Sequence, residues 1–463
     1  MKLKNRFVRE EQPYKQAELL NMFGIAKAEG EKLFSLLLSY GVLVPVKQGG
    51  GELFFKFSFV GIIFFDKLII RCFPKYIHST ATPHAQFAQV MTVIRRYGRE
   101  SKAEFRPSGE YEHMEFSILS EALSLLDDYA EHGIYSNVIH ETEMNGGGEI
   151  LWDKTISSID PFFRNDTPFY MEFHTRRVID DEQSYVTRLH KHVLTECSQL
   201  LERADLLTLF GIAPLYLCDE RREHFGSDGY IVQLLRAELD IQFDSQKQEL
   251  LRRLIRFIER RESLAAEPLH LYGTTAFEAV WEAVCAKVFG NQLKTLLKNL
   301  PLPMPLGQGF DVSSTLISLI PKPYWNLDGK TFKGEGTLIP DIAAFSLHEE
   351  KPVFAILDAK YYDYSSEHKS LPGIGDIDKQ YLYELAFKPF LAAHGITRVM
   401  NAFLMPTEGD ELKHEGFVEL AMLRQLGLEN IQLILVPAQK AYEGYLNGLG
   451  SRTCFLKAIL ERL

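Results

Sequence analysis

Runs of apolar residues divide the chain into strand-like and helix-like segments. Residues 353–357 are all apolar, which is typical of a strand buried on both faces. A second apolar run covers residues 338–345, and the polar stretch 346–352 between the two is turn-like. The pattern predicts a β-hairpin. Two more apolar runs, at 398–406 and 431–437, predict strands that complete a mixed sheet.

Two helices are predicted beside this sheet. Residues 273–289 place apolar side chains on one side at helical spacing, with Thr274 or Thr275 as the N-cap. The second helix begins near Asp376, with Asp376 or Asp378 as its cap. The apolar positions of the first helix are Phe277, Val280, Trp281, Val284 and Val288.

The N-terminal segment has the order of a winged helix. Residues 16–24 and 29–41 predict two short helices, and the second ends at a glycine. Strands are predicted at 42–46 and from Leu53, on either side of a triple glycine. A winged helix can place its second helix in the DNA major groove. Because Lys32 is the only basic residue in the body of that helix, protein docking or scaffolding is the favoured role.

The middle of the chain is predicted to be mostly helical, over residues 83–133 and 229–263. Arg252, Arg256 and Arg260 recur every four residues and form one cationic stripe. Two interpretations remain open for the stripe, namely contact with phosphates or an acidic partner and pairing with acids of the chain itself.

Composition is that of a large protein with several cores. The chain has 463 residues, 46% of them hydrophobic, and a net charge of −11 from 51 basic and 62 acidic residues. This balance argues against a generally basic nucleic-acid coat, but it leaves room for local DNA contacts. The five cysteines are scattered without a CxxC pair, and no apolar run approaches the roughly 18 residues that span a membrane. We therefore expect a cytoplasmic protein with no structural zinc site and no membrane association.

The strongest candidate chemistry lies at the ends of the predicted hairpin strands. Asp341 follows Pro340, and Asp358 and Lys360 close the second strand two positions apart, so their side chains share a face. Two carboxylates suit a hard divalent cation, and the ammonium suits an attacking water or a phosphate. This spacing resembles the PD-(D/E)xK nuclease superfamily, for which a third acid is expected on a preceding helix. Glu278 is the first choice for this acid, and Glu282, four residues later on the same face, is the alternative.

Longer segments resemble a narrower family. The stretches ILDAKYY at 356–362 and PGIGDIDKQYLYELAF at 372–387 are similar to the LlaJI restriction endonuclease family, related to the McrC nuclease subunits of McrBC systems. KFSFVGIIFFDKLIIRCFPKYI at 56–77 and GGGEILWDKTI at 146–156 carry the same resemblance. The expected fold is therefore an α/β and α+β multidomain protein. Its predicted parts are a winged-helix-like module at 1–105, a central partner-docking region at 106–265 and a PD-(D/E)xK nuclease domain with a mixed central sheet at 266–463.

The resemblance implies an endonuclease of an anti-phage restriction system that cuts double-stranded DNA. It implies Mg²⁺, or Mn²⁺, held by Asp341, Asp358 and Glu278, with Lys360 as a further catalytic group. It also implies an McrB-like AAA+ GTPase partner, with Trp152, Lys154 and Thr155 as candidate contacts. The segment Gly329-Lys330-Thr331 is not a nucleotide-binding P-loop, because Tyr324 occupies the position of the leading glycine.

Two further expectations follow. Lys379 and Gln380, at the start of the helix after the DxK strand, are predicted to contact the DNA backbone beside the scissile bond. The competing function is a non-catalytic winged-helix adapter that docks on and stimulates an AAA+ GTPase.

Overall fold

The computed structural model describes residues 4–48, 52–66, 68–79, 83–103, 118–181, 183–266, 269–364, 370–448 and 454–462. The chain divides into two compact units. Unit 1 comprises residues 1–114 and 271–463, and unit 2 comprises residues 115–270. The predicted boundaries near 105 and 265 remain a prediction about functional domains, and the predicted triple-glycine turn at 49–51 lies outside the described residues.

The described residues form a mixed α/β multidomain protein with several sheets. The strands are β1 (Lys4–Arg9), β2 (Leu43–Gln48), β3 (Glu52–Phe57), β4 (Val60–Phe65), β5 (Leu68–Phe73), β6 (Val138–Met144), β7 (Glu149–Ile150), β8 (Phe162–Arg164), β9 (Thr167–Phe169), β10 (His174–Asp180), β11 (Leu269–Thr274), β12 (Tyr324–Leu327), β13 (Lys330–Lys333), β14 (Ile342–His348), β15 (Lys351–Ala359), β16 (Arg398–Thr407), β17 (Lys413–Val418) and β18 (Ile431–Pro437). The thirteen α-helices of the described residues are α1 (Gln16–Phe23), α2 (Lys27–Ser39), α3 (Pro83–Ala103), α4 (Ile118–His132), α5 (Trp152–Ser158), α6 (Tyr185–Arg203), α7 (Leu206–Phe210), α8 (Asp228–Ile241), α9 (Ser245–Ala266), α10 (Phe277–Val288), α11 (Ile374–Ala393), α12 (Ala438–Asn447) and α13 (Cys454–Leu460).

The predicted order helix, helix, strand, strand is present at the N-terminus. Helix α1 ends at Gly24 in the left-handed region, and Gly41, with φ of 68°, follows the end of α2. Both glycines stop a helix where a side chain would be strained. Strands β2 and β3 then pair in antiparallel register. The order is that expected for a winged helix, and the winged-helix assignment itself stays a prediction.

A four-stranded sheet in the order β1-β5-β4-β11 joins the two sequence segments of unit 1. Gly61 on β4 and Gly273 on β11 make the join possible, since their φ angles are 151° and 157°. A Cβ atom on either glycine would lie 2.6 Å from the Cα of the other. Only two glycines permit this close approach of the two backbones.

The second sheet of unit 1 is the mixed sheet predicted for the C-terminal region. Its strand order is β14-β15-β16-β18-β17. Strand β15 is antiparallel to β14 and parallel to β16, which is in turn parallel to β18. The chain reaches β16 from β15 through helix α11, as parallel neighbours require.

Helix α11 packs its apolar side chains on one face of this sheet. Phe354 and Ile356 of β15 are fully buried together with Phe387 of the helix. The rings of Phe354 and Phe387 have centroids 5.0 Å apart at 68°, an edge-to-face contact. Helix α11 begins at Ile374 with Gly373 as its N-cap, so the prediction that Asp376 or Asp378 caps it was wrong. The N-cap of α10 is Ala276, so neither Thr274 nor Thr275 occupies that position.

The arginine stripe of α9 in unit 2 is paired with acids of the same unit. Arg256 lies 3.3 Å from Glu121 and 3.2 Å from Glu249, and Arg260 lies 3.4 Å from Glu121. These pairs support the second interpretation of the stripe, in which its charge is compensated within the chain.

Residues 149–156 form the two-residue strand β7 followed by the first turns of helix α5. Trp152 and Lys154 are exposed on this helix, whereas Thr155 is fully buried and its hydroxyl oxygen accepts from the His174 N–H at 3.0 Å. The prediction of Thr155 as a partner contact was therefore wrong, because its side chain is a core hydrogen-bond acceptor.

None of the helices in the described residues is both long and apolar enough to cross a membrane.

Candidate active site

The predicted hairpin of β14 and β15 brings the two aspartates to the same end of the mixed sheet. Ile342 pairs with Leu357, so Asp341 and Asp358 stand on neighbouring strands, one residue further along. An oxygen of the Asp341 carboxylate accepts from the Ala359 N–H at 2.8 Å. The side-chain amide of Asn291 donates to the Asp341 carbonyl at 2.8 Å. These bonds hold Asp341 against the end of β15.

Lys360 follows β15 and turns its ammonium back to the same face. Its Nζ lies 2.7 Å from Oδ2 of Asp358, and its backbone N–H donates to the Leu404 carbonyl of β16 at 2.9 Å. The structure therefore brings together Asp341, Asp358 and Lys360, the three residues predicted from the strand ends.

Asp376, predicted from the sequence only as a helix cap, is a fourth member of the cluster. It lies in the first turn of α11, and its Oδ1 is 2.9 Å from Nζ of Lys360. Lys360 thus sits between the carboxylates of Asp358 and Asp376. The signal available in the sequence was an acid at the start of the helix that follows the DxK strand.

Burial and mutual repulsion set the electrostatics of this site. Burial and the neighbouring charge of Asp358 raise the pKa of Asp341 to about 6. Burial raises the pKa of Asp358 as well, although the ammonium of Lys360 opposes the rise. Burial lowers the pKa of Lys360, but the carboxylates of Asp358 and Asp376 outweigh it and raise that pKa above its ordinary value. Lys360 is therefore a cation, and two acids beside it hold negative charge at a cost.

Helix α10 carries the two glutamates considered as the third acid, and they differ in environment. Glu278 is exposed in the first turn, whereas Glu282 is half-buried. Burial raises the pKa of Glu282 to about 7, with further contributions from the charges of Asp341 and Asp358. The preceding Trp281 is fully buried and donates from Nε1 to the Leu404 carbonyl at 3.2 Å, the same carbonyl that accepts from Lys360. This anchor places Glu282 within electrostatic range of the two aspartates.

The two residues predicted to contact DNA on α11 also differ. Lys379 is exposed, and its charge lowers the pKa of Asp358, so it lies within range of the site. Gln380 is fully buried and donates to the Ala402 carbonyl at 3.1 Å. The prediction that Gln380 contacts DNA was therefore wrong, because its amide holds α11 to β16.

Whether these residues suit a divalent cation is a question of donor chemistry. Oxygen ligands from one or two carboxylates, completed by water and phosphate, are the usual environment of Mg²⁺. Asp341 and Asp358 supply such oxygens at one strand end. Among the described residues, no group of three or more His, Cys, Asp or Glu side chains is arranged to hold a metal ion. The donor set thus fits Mg²⁺ through two carboxylates, and the metal ligands remain a prediction.

The fold is that of a mixed α/β multidomain protein, and its carboxylate–lysine cluster lies at one end of the mixed sheet. The model of the LlaJI restriction endonuclease family matches residues 59–312 and 307–438, more than half of the chain. The chain belongs to the LlaJI restriction endonuclease family. It is also 28% identical over 466 residues to the type II restriction enzyme BsuMI component YdjA of Bacillus subtilis (strain 168), covering 96% of this chain and 89% of that protein.

Two similar solved structures are of Thermococcus gammatolerans proteins. A half-complex of the tetradecameric assembly of Thermococcus gammatolerans McrB AAA+ hexamers with bound McrC contains a chain with 14% identity and a TM-score of 0.37, covering 96% of this chain and 99% of that chain. The cryo-EM structure of the Thermococcus gammatolerans McrBC complex gives 14% identity and a TM-score of 0.23, covering 55% of this chain and 80% of that chain. Both likenesses are remote.

Proposed function

We propose that this member of the restriction endonuclease family is the metal-dependent DNA endonuclease subunit of an anti-phage restriction system, acting on double-stranded DNA together with an McrB-like AAA+ GTPase. The observation that carries the proposal is the convergence of Asp341, Asp358 and Lys360 at one end of the mixed sheet. Two acids with raised pKa values at one buried position are costly to maintain, and such positions cluster at functional sites.

Asp341 and Asp358 are the residues that would hold Mg²⁺ or Mn²⁺, with Glu282 preferred over Glu278 as a third acid. The preference rests on the half-buried position of Glu282 and on the contribution of both aspartates to its raised pKa. When bound, the cation supplies a Lewis acid for the phosphate and lowers the pKa of a water. The topology of β14, β15, α11 and β16, with α10 before them, supports the assignment to the PD-(D/E)xK superfamily.

Lys360 places a positive charge between the carboxylates of Asp358 and Asp376. Its ammonium orients the attacking water or stabilises the charge that develops on the phosphate oxygens. Asp376 acts as a positioning residue, since it holds the ammonium at 2.9 Å and keeps Lys360 protonated. Lys379, exposed at the start of α11, is proposed to meet the DNA backbone near this point.

The AAA+ partner is proposed from the sequence resemblance to McrC-like proteins and from the lack of a nucleotide-binding motif in the sequence. Unit 2 carries a surface suited to docking. Phe162, Phe163 and Phe169 of the β8–β9 hairpin are 68%, 70% and 50% exposed, and Trp152 of α5 is 50% exposed. Exposed aromatic side chains concentrated on one short hairpin are typical of protein contact surfaces.

The proposal that unit 2 docks on the partner while unit 1 cuts DNA is best tested by substitution rather than by truncation. Removing residues 1–265 would delete β1, β4 and β5, which form one sheet with β11. It would also delete Glu10, whose buried carboxylate accepts from the Tyr361 hydroxyl directly after Lys360. A Phe162→Ser, Phe163→Ser variant leaves unit 1 intact. It should lose stimulation of GTP hydrolysis by the partner, and unchanged stimulation would rule out this surface.

The experiment that tests the function is plasmid nicking by the full chain in Mg²⁺ or Mn²⁺, with and without the AAA+ partner and GTP. Methylated and unmethylated plasmids are compared, and EDTA is the metal-free control. We expect metal-dependent cleavage that requires the partner. No cleavage in any of these arms, with GTP hydrolysis still stimulated, would favour the second candidate, a non-catalytic adapter.

A further inference from the structure

The β12–β13 hairpin of unit 1 precedes the candidate active site in sequence and contributes none of the residues of that site. Strands β12 and β13 pair only with each other among the described residues. Asp328 and Gly329 join them with φ angles of 49° and 74°. Positive φ at both central residues is the requirement of a type I′ turn, for which Asp-Gly is a favoured pair. Gly329 therefore lies in the hairpin turn, and Lys330 and Thr331 begin β13.

The pairing register assigns distinct chemistry to the two faces of the hairpin. Trp325 is opposite Phe332, and Leu327 is opposite Lys330, so one face is apolar with a lysine at its tip. The other face pairs Tyr324 with Lys333 and also carries Asn326 and Thr331. The Lys333 ammonium lies 5.9 Å from the centroid of the Tyr324 ring.

Every residue of both strands is exposed, including side chains that are normally buried. Tyr324, Trp325, Leu327 and Phe332 are 62%, 60%, 56% and 51% exposed. Trp325 and Phe332 are directly opposite each other on this two-stranded ribbon, and the apolar face that they share is exposed. Such a face is typical of a binding surface and not of a protein core.

The base of the hairpin leads directly to the candidate active site. The Gly334 N–H donates to the Pro323 carbonyl at 2.7 Å, and the Thr337 hydroxyl donates to the Pro321 carbonyl at 2.9 Å. Two residues later, the Ile339 carbonyl accepts from the Tyr383 hydroxyl at 2.9 Å, and Asp341 follows. Burial raises the pKa of Tyr383 to about 12, with further contributions from Asp358 and Asp341. The base is therefore fixed beside the two aspartates, and the strands project from it.

Local charge favours a polyanion. The hairpin and its base carry Lys322, Lys330 and Lys333, against Asp328 at the turn and Glu335 after β13, in a chain whose net charge is −11. Lysine heads beside exposed aromatic rings are the combination by which proteins hold nucleic acid, through phosphates and base faces respectively. A two-stranded ribbon also fits the width of the DNA major groove.

We propose that the β12–β13 hairpin is a DNA-contacting element that grips the substrate beside the scissile bond, with Trp325 and Phe332 against bases and with Lys330 and Lys333 on phosphates. This inference rests on the proposed nuclease function, because its ligand is the substrate of that site. An AAA+ partner or a second copy of the chain would fit the exposed aromatic residues, but neither accounts for the lysines beside them in an acidic chain.

The test is fluorescence anisotropy of the full chain, alone and with the AAA+ partner, on a labelled mixed-sequence duplex, with Ca²⁺ in place of Mg²⁺. The Trp325→Ala, Phe332→Ala variant should bind about five- to a hundredfold more weakly, the range expected for lost contacts with bases in the groove of a duplex. Lys330→Gln should reduce the slope of log affinity against log salt by about one. The matched controls are Phe417→Ala, which is 59% exposed on β17, and Lys440→Gln, which is exposed on α12. Both controls should bind like the parent protein.

The outcomes separate this inference from the proposed function. Unchanged affinity and salt slope in the hairpin variants, with cleavage intact, would overturn the inference and leave the nuclease proposal standing. If the hairpin variants bind DNA more weakly but the parent protein does not cut DNA under any condition, the DNA contact is supported and the proposed nuclease function is refuted. Normal DNA affinity with lost stimulation of GTP hydrolysis would assign the hairpin to the partner and overturn the inference. Thermal melting of each variant checks that the fold is retained.

Discussion

Two hairpins of unit 1 lie close in sequence and have opposite environments. Hairpin β12–β13 exposes all eight strand residues and carries tryptophan, phenylalanine and lysine. Hairpin β14–β15 begins nine residues after β13 ends and belongs to a five-stranded sheet, in which β14 is the edge strand. Residues 353–359 of β15 are all buried. The same antiparallel pairing thus forms a solvent-exposed surface in β12–β13 and a buried support for charged side chains in β14–β15.

The difference shows what each arrangement can contribute. Because β15 is packed against β16 and α11, the carboxylate of Asp358 is held at a place where burial raises its pKa. A rigid position is needed for groups that act on one bond. The exposed hairpin cannot shift a pKa in this way, but its side chains are free to meet a large ligand. Four predictions break or sharpen this contrast.

The largest effect is expected from Asp358→Ala, which should abolish cleavage while the protein stays folded. The substitution removes a proposed metal ligand and also relieves repulsion with Asp341, so stability should change little or increase. Nicking assays with matched metal and partner, beside thermal melting, measure both effects. Cleavage at the parental rate would show that the β14–β15 hairpin is not the catalytic element.

Lys360→Ala should slow single-turnover cleavage by about a hundred- to a thousandfold, corresponding to about 3–4 kcal/mol of lost transition-state stabilisation. DNA binding should stay near normal, in contrast with the β12–β13 variants. Lys360→Arg should rescue poorly, because a planar fork does not replace a compact ammonium between Asp358 and Asp376. A collapse of binding with a preserved rate at saturation would make Lys360 a DNA anchor.

The third prediction concerns stability. Ile356→Ala removes a fully buried side chain of β15 and should lower the free energy of unfolding by about 2–5 kcal/mol. Trp325→Ala removes a larger side chain from the exposed hairpin and should change it by only about 0.5 kcal/mol or less. Denaturant unfolding of the two variants measures the difference. Equal losses would mean that the β12–β13 hairpin is packed and not free.

The smallest effect is a dependence of stability on pH. The pKa of Asp341 is raised from 3.8 to about 6, and that of Glu282 from 4.5 to about 7. Protons are therefore held more tightly in the folded state. The stability that these groups contribute is fully present below pH 3.8 and is lost as the pH rises through 6 to 7. We expect Mg²⁺ to raise the melting temperature by more at pH 7.5 than at pH 5, because the metal binds ionised carboxylates. The Asp341→Asn, Glu282→Gln variant should lose this difference, and an equal Mg²⁺ effect at both pH values would contradict the proposed ligands.

Local pattern alone determined the β14–β15 hairpin. The unbroken apolar run at 353–357 required a strand buried on both faces, and the two-residue period of a strand placed Asp358 and Lys360 on one face. The polar turn and the apolar run before it then made an antiparallel partner, β14, the simplest continuation. Helix α10 was likewise predicted from its period, since its apolar side chains at helical spacing are buried.

Only the tertiary structure decided which polar side chains meet at the end of those strands. Glu278 and Glu282 share a helix face, but the anchoring of Trp281 on β16 brings Glu282 into range of Asp341 and Asp358. Asp376 became a partner of Lys360, and Gln380 a buried link to β16, because α11 packs across the sheet in one orientation. Such pairings depend on distances between segments far apart in sequence. Periodicity reports which face of an element is apolar, but it does not report which neighbour covers that face or leaves it exposed, as in β12–β13.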